Sequence, residues 1–242
     1  MKKYEEIKKE IAKNQEAKKA NLKKIDILDF TKEKDAILHN EKGTFFTNLK
    51  SEAYKALTEK AEANREQINK LYDEIYMEEV KERILLANAR NALFFEGIEV
   101  IKAAFMKYNG KPYGEKTRAK IREEVHAAGY SYYFNDYEIE VQKLTPAGYT
   151  NGENAKAATM NEEHHTTSIL DENNKIQIDK IVFYPRDKYE ENPTKAAREA
   201  VKAIRAYTKA TQEIRKQAEE LREKLPAGIH KPDYISEYKV TF

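Results

Sequence analysis

Large apolar residues are concentrated in the segment "ILLANARNALFFEGIEVIKAAF", Ile84 to Phe105 of this 242-residue chain. When the segment is drawn as a helix these residues fall on more than one face, which predicts a helix that is packed from several sides. Glycine and proline, the residues that stop helices, are absent from Thr44 to Glu96. We therefore expect long helices in the first half of the chain, with this segment at the centre of the core.

Two stretches have seam-forming residues at alternating steps of three and four, the a/d spacing of a coiled coil. The first stretch contains Tyr54, Leu57, Ala61, Asn64, Ile68, Leu71 and Ile75, and the second contains Ala197, Ala200, Ile204, Tyr207, Thr211, Ile214, Ala218, Leu221 and Leu225. Pro193 is tolerated in the first turn of the second helix, and Pro226 with Gly228 ends it. We expect both stripes to be buried, either against each other in an antiparallel bundle or in a dimeric coiled coil.

Asn64 is the polar member of the first stripe. A buried Asn can fix the register or the number of helices in a coiled coil, and in that case Asn64→Leu should raise thermal stability. The other interpretation places Asn64 at a wet edge of a short seam. Before this stripe, residues 3–23 predict an amphipathic helix with Tyr4, Ile7, Ile11 and Ala17 on one face, and 26–41 predicts a short helix flanked by turns.

The period of the pattern changes from 3.6 to 2 after residue 129. "YSYYF", Asn135-Asp136 and "YEIEV" predict a β-hairpin with Tyr137, Ile139 and Val141 on one face. "KIQIDKIVFYP" predicts a further strand near 175–184, with Ile176 and Ile178 on one face and Pro185 closing it. The polar segment 145–174 is unusually long for a connection, which is typical of a functional or disordered loop.

The predicted fold is mainly α with a small α+β insertion: an elongated helical bundle or coiled coil plus an antiparallel sheet of about three strands. We divide the chain into a long-helix region at 1–108, an α+β region at 109–190, and a C-terminal helix with a tail at 191–242. The last helix is expected to pack on the N-terminal helices.

Composition excludes several classes of protein. Lys and Arg number 44 against 42 Asp and Glu, a balance that argues against a general polyanion binder. Cysteine is absent, which excludes disulfides, thiolate zinc sites and cysteine nucleophiles. The charged N-terminal segment lacks the apolar region of a signal peptide, and no apolar run reaches the roughly 18 residues of a membrane span. We expect a soluble, cytoplasmic protein.

The stretch "KYNGKPYGEKTRAKIREEVHAAGYSYYF", Lys107 to Phe134, combines glycines, basic residues and aromatic rings. It is not a P-loop, because Gly110 to Gly114 is one residue short and Glu115 stands where the motif requires Lys. The better interpretation is a corner in which Gly110 caps one helix and Gly129 ends the next, whose inner residues are Ile121 and Val125.

Charge in this stretch supports a second interpretation as a binding surface. Its candidate residues are Lys107, Lys111, Lys116, Arg118, Lys120, Arg122, Tyr130 and Tyr132. Basic side chains contact phosphates and exposed rings stack on bases, so these residues predict a surface for nucleic acid or for another partner. In the competing interpretation the rings are part of the core and the basic residues form a solvated face.

Catalytic motifs are scarce. "NEEHH" places Glu162, Glu163, His164 and His165 together with Asp171 nearby, but the H-E-x-x-H spacing is missing. No G-x-S-x-G elbow or dinucleotide fingerprint is present. We predict no catalytic residue, no metal and no cofactor.

Three hypotheses of function remain. The first is a non-catalytic helical interaction protein that binds another macromolecule; a phage or mobile-element accessory or inhibitor of a host protein, such as a defence nuclease, would have this architecture. The second is a nucleic-acid-binding protein that uses residues 102–134. The third is a metal-dependent enzyme that uses Glu162 to His165. The partner is accordingly another protein, for example a nucleic-acid-processing enzyme, or nucleic acid, with the chain a monomer or homodimer and no membrane involved.

Overall fold

The computed structural model describes residues 1–224, except for the side chains of Asn151, Arg222 and Glu223. Its helices are α1 (Tyr4–Leu28), α2 (Thr31–Leu38), α3 (Phe45–Leu49), α4 (Glu52–Ala63), α5 (Arg65–Met106), α6 (Glu115–Ala127) and α7 (Pro193–Glu223). Its strands are β1 (Tyr130–Phe134), β2 (Glu138–Leu144), β3 (Thr150–Met160) and β4 (Val182–Pro185), and Ile178–Lys180 forms one 3-10 turn. The prediction of a mainly helical protein with a small antiparallel sheet is confirmed. Among the described residues, no helix has the length and apolarity needed to cross a membrane.

The chain divides into two units, Met1–Ala197 and a second that begins at Arg198 within α7. Helix α5 is the centre of the first unit, as its apolar segment predicts. Its largest buried side chains are Leu85, Leu93, Phe94, Ile98, Ile101 and Phe105, and all of them belong to one cluster with buried residues of α1, α6 and the sheet. The burial of this one helix on several sides therefore holds the unit together.

Helix α1 runs antiparallel to α5. The backbone N–H of Tyr4 donates to the Glu96 carboxylate at 2.8 Å, whereas Asn64 donates through Nδ2 to the carbonyl of Leu28, also at 2.8 Å. The stripe of α1 that faces α5 includes polar residues: its members are Tyr4, Ile7, Ile11, Asn14, Lys18, Asn21, Ile25 and Leu28. Ala17, which we predicted on this stripe, is exposed, because the three-four rhythm continues through the polar residues.

The first predicted seam is not one continuous helix. It is divided at Asn64, where α4 ends and α5 begins, although Ala61, Leu71 and Ile75 are buried as predicted. The part of the seam within α5 packs on α1. Asn64 is half-buried at this junction, and its hydrogen bond to Leu28 explains the polar residue without an intermolecular coiled coil.

The second predicted seam differs more strongly from expectation. Its first residue, Ala197, is buried, whereas Ile204, Tyr207, Ile214 and Leu221 are 44%, 61%, 65% and 65% exposed, so the predicted burial is not seen at these four residues in the single chain. Leu225, Pro226 and Gly228 lie outside the described residues. The spacing predicted a long helix correctly, but spacing alone does not show whether the chain supplies a partner for it.

The sheet has four strands in the order β1-β2-β3-β4, and each neighbouring pair is antiparallel. The predicted hairpin is confirmed by the pairing of Tyr132 with Val141 and of Phe134 with Ile139. Tyr137 is 58% exposed and does not share the buried face of Ile139 and Val141. The turn extends to this residue, because the Asn135 side chain accepts the N–H of Tyr137.

The segment predicted as a long polar connection contains β3, which pairs with both β2 and β4. Its sequence, "TNGENAKAATM", has no aromatic residue, and its two threonines are its only β-branched residues, so it has few of the residues that favour strands. Ala155 and Ala157 are nevertheless buried in the main cluster. The strand predicted at 175–184 is shorter than expected and begins at Val182, although Ile176 and Ile178 are buried.

Asn64→Leu tests the corrected role of Asn64. The substitution removes the hydrogen bond to the Leu28 carbonyl, which lies in the last turn of α1 and has no partner within its own helix. We expect the free energy of unfolding to fall by about 1 kcal/mol, the opposite of the stabilisation predicted for a coiled-coil position. Urea denaturation measures the change, and Lys60→Leu on the exposed side of α4 serves as a control. A stabilised Asn64→Leu variant would contradict this role.

Candidate macromolecule-binding surfaces

Helix α6 carries four of the predicted binding residues. Its N-terminal Glu115 suits the positive end of the helix dipole, Ile121 and Val125 are fully buried, and Gly129 ends the helix at a φ of +84°. Lys116, Arg118, Lys120 and Arg122 are exposed. None of the four has an ion-pair partner within residues 1–224.

These four cations do not form a single surface. Since successive residues of a helix are rotated by roughly 100°, Arg118 and Arg122 lie on one flank of the buried stripe, and Lys116 and Lys120 lie on the other. Arg118 and Arg122 are close enough to the Tyr132 hydroxyl to lower its pKa, an effect that is smaller than the opposing effect of burial. The predicted set is therefore divided into two neighbouring arginines on one flank of α6 and two neighbouring lysines on the other.

The two other predicted cations have local partners. The Lys107 ammonium lies 2.7 Å from the Glu124 carboxylate of α6, and this carboxylate raises the pKa of Lys107. The Lys111 ammonium lies 5.4 Å from the centroid of the Tyr108 ring. Both side chains are exposed, and pairing at the surface contributes little to stability.

The predicted aromatic residues are packed against α5. The Tyr132 ring lies 5.1 Å from that of Phe105, edge to face, and its hydroxyl is 3.2 Å from that of Tyr113. Burial and this hydrogen bond raise the pKa of Tyr132 well above its ordinary value. Burial likewise raises the pKa of Tyr130, whose ring lies beside Gly97. Strand alternation explains the placement, because it turns Tyr130 and Tyr132 inward and Tyr133 outward.

The histidine cluster forms a tight turn after β3. The Asn161 side chain accepts the N–H groups of Glu163 and His165, and His164 has a φ of +62°. The Nδ1 atom of His164 lies 2.7 Å from the Tyr184 hydroxyl. No group of three or more His, Asp or Glu side chains in the described part of the chain is arranged to hold a metal ion.

A small cavity of about 190 Å³ lies between α1, α5 and β3. Its lining includes two basic residues, Lys8 and Arg90, each of which pairs with an acid: Lys8 with Glu153 and Arg90 with Asp187. The Arg90 pair is bidentate, with distances of 2.7 and 2.8 Å. These cations are thus already neutralised by the fold.

Exposed apolar side chains mark a surface that sequence reasoning missed. On α3, Phe45 is 50% exposed and Phe46 is 72% exposed, and their ring centroids are 5.8 Å apart. Neither α2 nor α3 has a buried residue. Both helices lie in the connection from the end of α1 to the start of α5. No periodic signal identifies this surface, because a five-residue helix is too short to show one.

Helix α7 carries a second surface of this kind. Its exposed apolar stripe contains Ile204, Tyr207, Ile214 and Leu221. A basic stripe at the same three-four spacing, which the sequence analysis did not single out, contains the exposed residues Arg198, Lys202, Arg205 and Lys209. The two stripes occupy different faces, so α7 is amphipathic over most of its length.

Comparison with protein-family models, curated proteins and solved structures gave no match to this chain.

Tyr132 and Tyr133 provide a matched test of the inward and outward faces of β1. Tyr132→Ala removes the packing on Phe105 and the hydrogen bond to Tyr113, so we expect a loss of about 3 kcal/mol in the free energy of unfolding. Tyr133 is 64% exposed, and Tyr133→Ala should change stability by less than about 0.5 kcal/mol. Urea denaturation of both variants measures the difference. Equal losses would contradict the assignment of Tyr132 to the core.

Proposed function

We propose that this protein is a non-catalytic interaction protein that docks onto another protein through α3. The observation that carries the proposal is the pair of adjacent, exposed phenylalanines, Phe45 and Phe46. Single exposed apolar residues are ordinary on protein surfaces. Two rings in edge-to-face contact on one short helix instead form a patch, and aromatic residues are enriched at the centres of protein interfaces.

Polar contacts hold α3 in place without burying its rings. The Thr44 hydroxyl accepts the N–H of Thr47 at the start of the helix, and the Asn48 amide donates to the carbonyls of Leu38 and Asn40. Ser51 then caps α4 by accepting the N–H of Tyr54. These bonds fix the short helix between its neighbours, which supports a role in presenting Phe45 and Phe46 to a partner.

The backbone at the start of α3 is also closely packed. A Cβ atom at Gly43 would come within 2.4 Å of the Asn48 carboxamide oxygen and 2.9 Å of the Thr47 hydroxyl oxygen. Glycine at this position therefore allows the side chains of Thr47 and Asn48 to lie close to the backbone. No residue of α3 is fully buried, so the local order of this helix depends on these close contacts and on hydrogen bonds.

The chemistry of the patch defines the partner as a protein with an apolar pocket that accepts one or both rings. The hypothesis of a phage or mobile-element inhibitor names one class of such partners, a host protein such as a defence nuclease. That identity stays a prediction, and affinity purification followed by mass spectrometry from cells that naturally contain the protein would test it.

The double variant Phe45→Ala, Phe46→Ala tests the docking surface. Once a partner has been purified, we expect the double variant to bind it with a free energy weaker by roughly 2 kcal/mol or more, about 30-fold in Kd. Tyr149→Ala is the control, because Tyr149 is 74% exposed but lies away from α3 in the turn before β3. Isothermal titration calorimetry measures Kd, and circular dichroism checks the fold. An unchanged Kd for the double variant would contradict docking at α3.

Nucleic-acid binding is the second candidate function. The observation that favours it is the exposed pair Arg118 and Arg122, which has no ion-pair partner among the described residues. The burial of Tyr130 and Tyr132 places both rings against the protein, so the arginines would contribute through phosphate contacts and not through base stacking.

The dependence of affinity on salt tests this candidate. If Arg118 contacts a phosphate, Arg118→Ala should reduce the slope of log affinity against log salt by roughly 0.7 to 0.9. Lys107→Ala is the matched control, because Glu124 already neutralises Lys107 and the slope should not change. Fluorescence anisotropy with single- and double-stranded probes measures both. Absence of binding by the wild-type protein at low salt would contradict the nucleic-acid hypothesis.

A further inference from the structure

The apolar stripe of α7 has the spacing of a helix-pairing surface. Ile204, Tyr207, Thr211, Ile214, Ala218 and Leu221 follow one another at steps of three and four. This repeat averages 3.5 residues, which keeps the stripe facing one partner helix as the two wind around each other. A flat protein surface or a lipid surface does not require such a repeat.

The part of the first seam that lies in α5 already has a helical partner within the first unit. The sequence predicted that the stripe is buried either against the seam from Tyr54 to Ile75 or in a dimeric coiled coil, and within the first unit α1 packs along the α5 part of that seam. The largest apolar residues of the α7 stripe are 44% to 65% exposed. The exposure of these residues favours the second alternative, a pairing of α7 with another chain.

We propose that α7 pairs antiparallel with α7 of a second copy of this chain. In an antiparallel pair each a position lies opposite a d position. With the two stripes overlapping fully, Tyr207 lies opposite Ala218 of the second copy, Ile204 opposite Leu221, and Thr211 opposite Ile214. Each layer then combines residues of compatible size, and the largest side chain meets the smallest.

A parallel pair would be packed less evenly. It places Tyr207 opposite Tyr207, and Ala218 opposite Ala218. One layer is crowded and another is left underfilled, and both defects are unfavourable in a close-packed interface. The order of large and small residues along the stripe therefore fits a second copy of the stripe that runs in the opposite direction.

Charge favours the same arrangement. Between Arg198 and Lys209 the helix carries four basic residues and one acidic residue, whereas from Thr211 to Lys224 it carries four of each. An antiparallel pair sets each basic half beside a balanced half, and a parallel pair sets the two basic halves together. The positions that flank the stripe are uncharged in its first half, at Ala203, Thr208 and Ala210, and include three basic residues in its second half, Arg215, Arg222 and Lys224. An antiparallel pair sets the basic flank of one helix beside the uncharged flank of the other, whereas a parallel pair sets the basic flanks together.

The inference does not depend on docking at α3, and the oligomeric state of the full chain tests it. We expect the wild-type protein to form a dimer whose fraction increases with concentration in sedimentation equilibrium. Ile214→Glu places a charge in the seam of each copy and should weaken dimerisation by roughly 100-fold or more. Gln212→Glu, which introduces the same charge at an exposed position outside the stripe, should dimerise like the wild type.

Cysteine cross-linking tests orientation and does not depend on the stability of a glutamate variant. The chain has no cysteine, so an introduced thiol is unique. A mixture of Tyr207→Cys and Ala218→Cys chains should form a disulfide-linked dimer when it is oxidised with a copper phenanthroline catalyst, and neither variant alone should do so. In the antiparallel pair two copies of the same cysteine would be separated by roughly 16 Å along the axis, beyond the reach of a disulfide.

Three results would overturn the proposal. The first is a wild-type chain that stays monomeric at every concentration measured, because no dimer then forms. A dimer that Ile214→Glu does not weaken uses another surface. Efficient cross-linking of Tyr207→Cys chains with one another shows a parallel pair. If α7 of a monomeric chain binds a different protein, the proposal is also overturned, because the chain does not pair with a second copy.

Discussion

The close packing of α5 against the sheet is the contact on which the first unit depends. At Gly97 a Cβ atom would come within 2.4 Å of Val141 and 2.9 Å of the Tyr130 ring, so any larger residue would force the helix and the hairpin apart. Eight residues further along, the Phe105 ring contacts Tyr132 and Phe134 on the same hairpin. Ala155 and Ala157 of β3 are buried in the same core, and their small side chains allow this strand to lie close to it. Small residues at the crossing and aromatic residues beside it together fix the distance between helix and sheet.

Polar side chains fix the position of other elements along α5. Asn14 and Asn21 of α1 donate to α5 at 2.7 and 3.0 Å, and Asn88 exchanges two hydrogen bonds with the backbone of Glu190. An apolar helix surface permits sliding, whereas a buried amide that loses its partner is unfavourable, so these contacts select one register. Away from the main core the α1–α5 pair has only a small cluster of Ile25, Leu71 and Ile75. The connection that carries α3 follows this cluster, and neither α2 nor α3 has a buried residue.

Sequence patterns predicted the elements better than their partners. The 3.6 period identified α5, the period of two identified the β1–β2 hairpin, and both are local properties of the chain. Local patterns carry no information about which of several compatible stripes will pair, and for this reason the sequence left an antiparallel bundle and a dimeric coiled coil as alternatives for the two seams. β3 was missed because its burial comes from neighbours on both sides and not from its own propensity. In the candidate site the exposure of Arg118 and Arg122 followed from the helix period, whereas Phe45 and Phe46 look in sequence like any buried pair.

Dimerisation through α7 would also connect the two proposals. The largest apolar residues of the α7 stripe are exposed, and a dimer formed through them would carry two copies of α3 on separate chains. A partner with two apolar pockets would then be bound twice, and the second contact would form at a high effective concentration if the spacing of the pockets allows it. Neither phenylalanine pair would need to bind tightly alone. Docking through a patch as small as two rings becomes physically reasonable under this arrangement, since modest single-site affinities combine within one assembly.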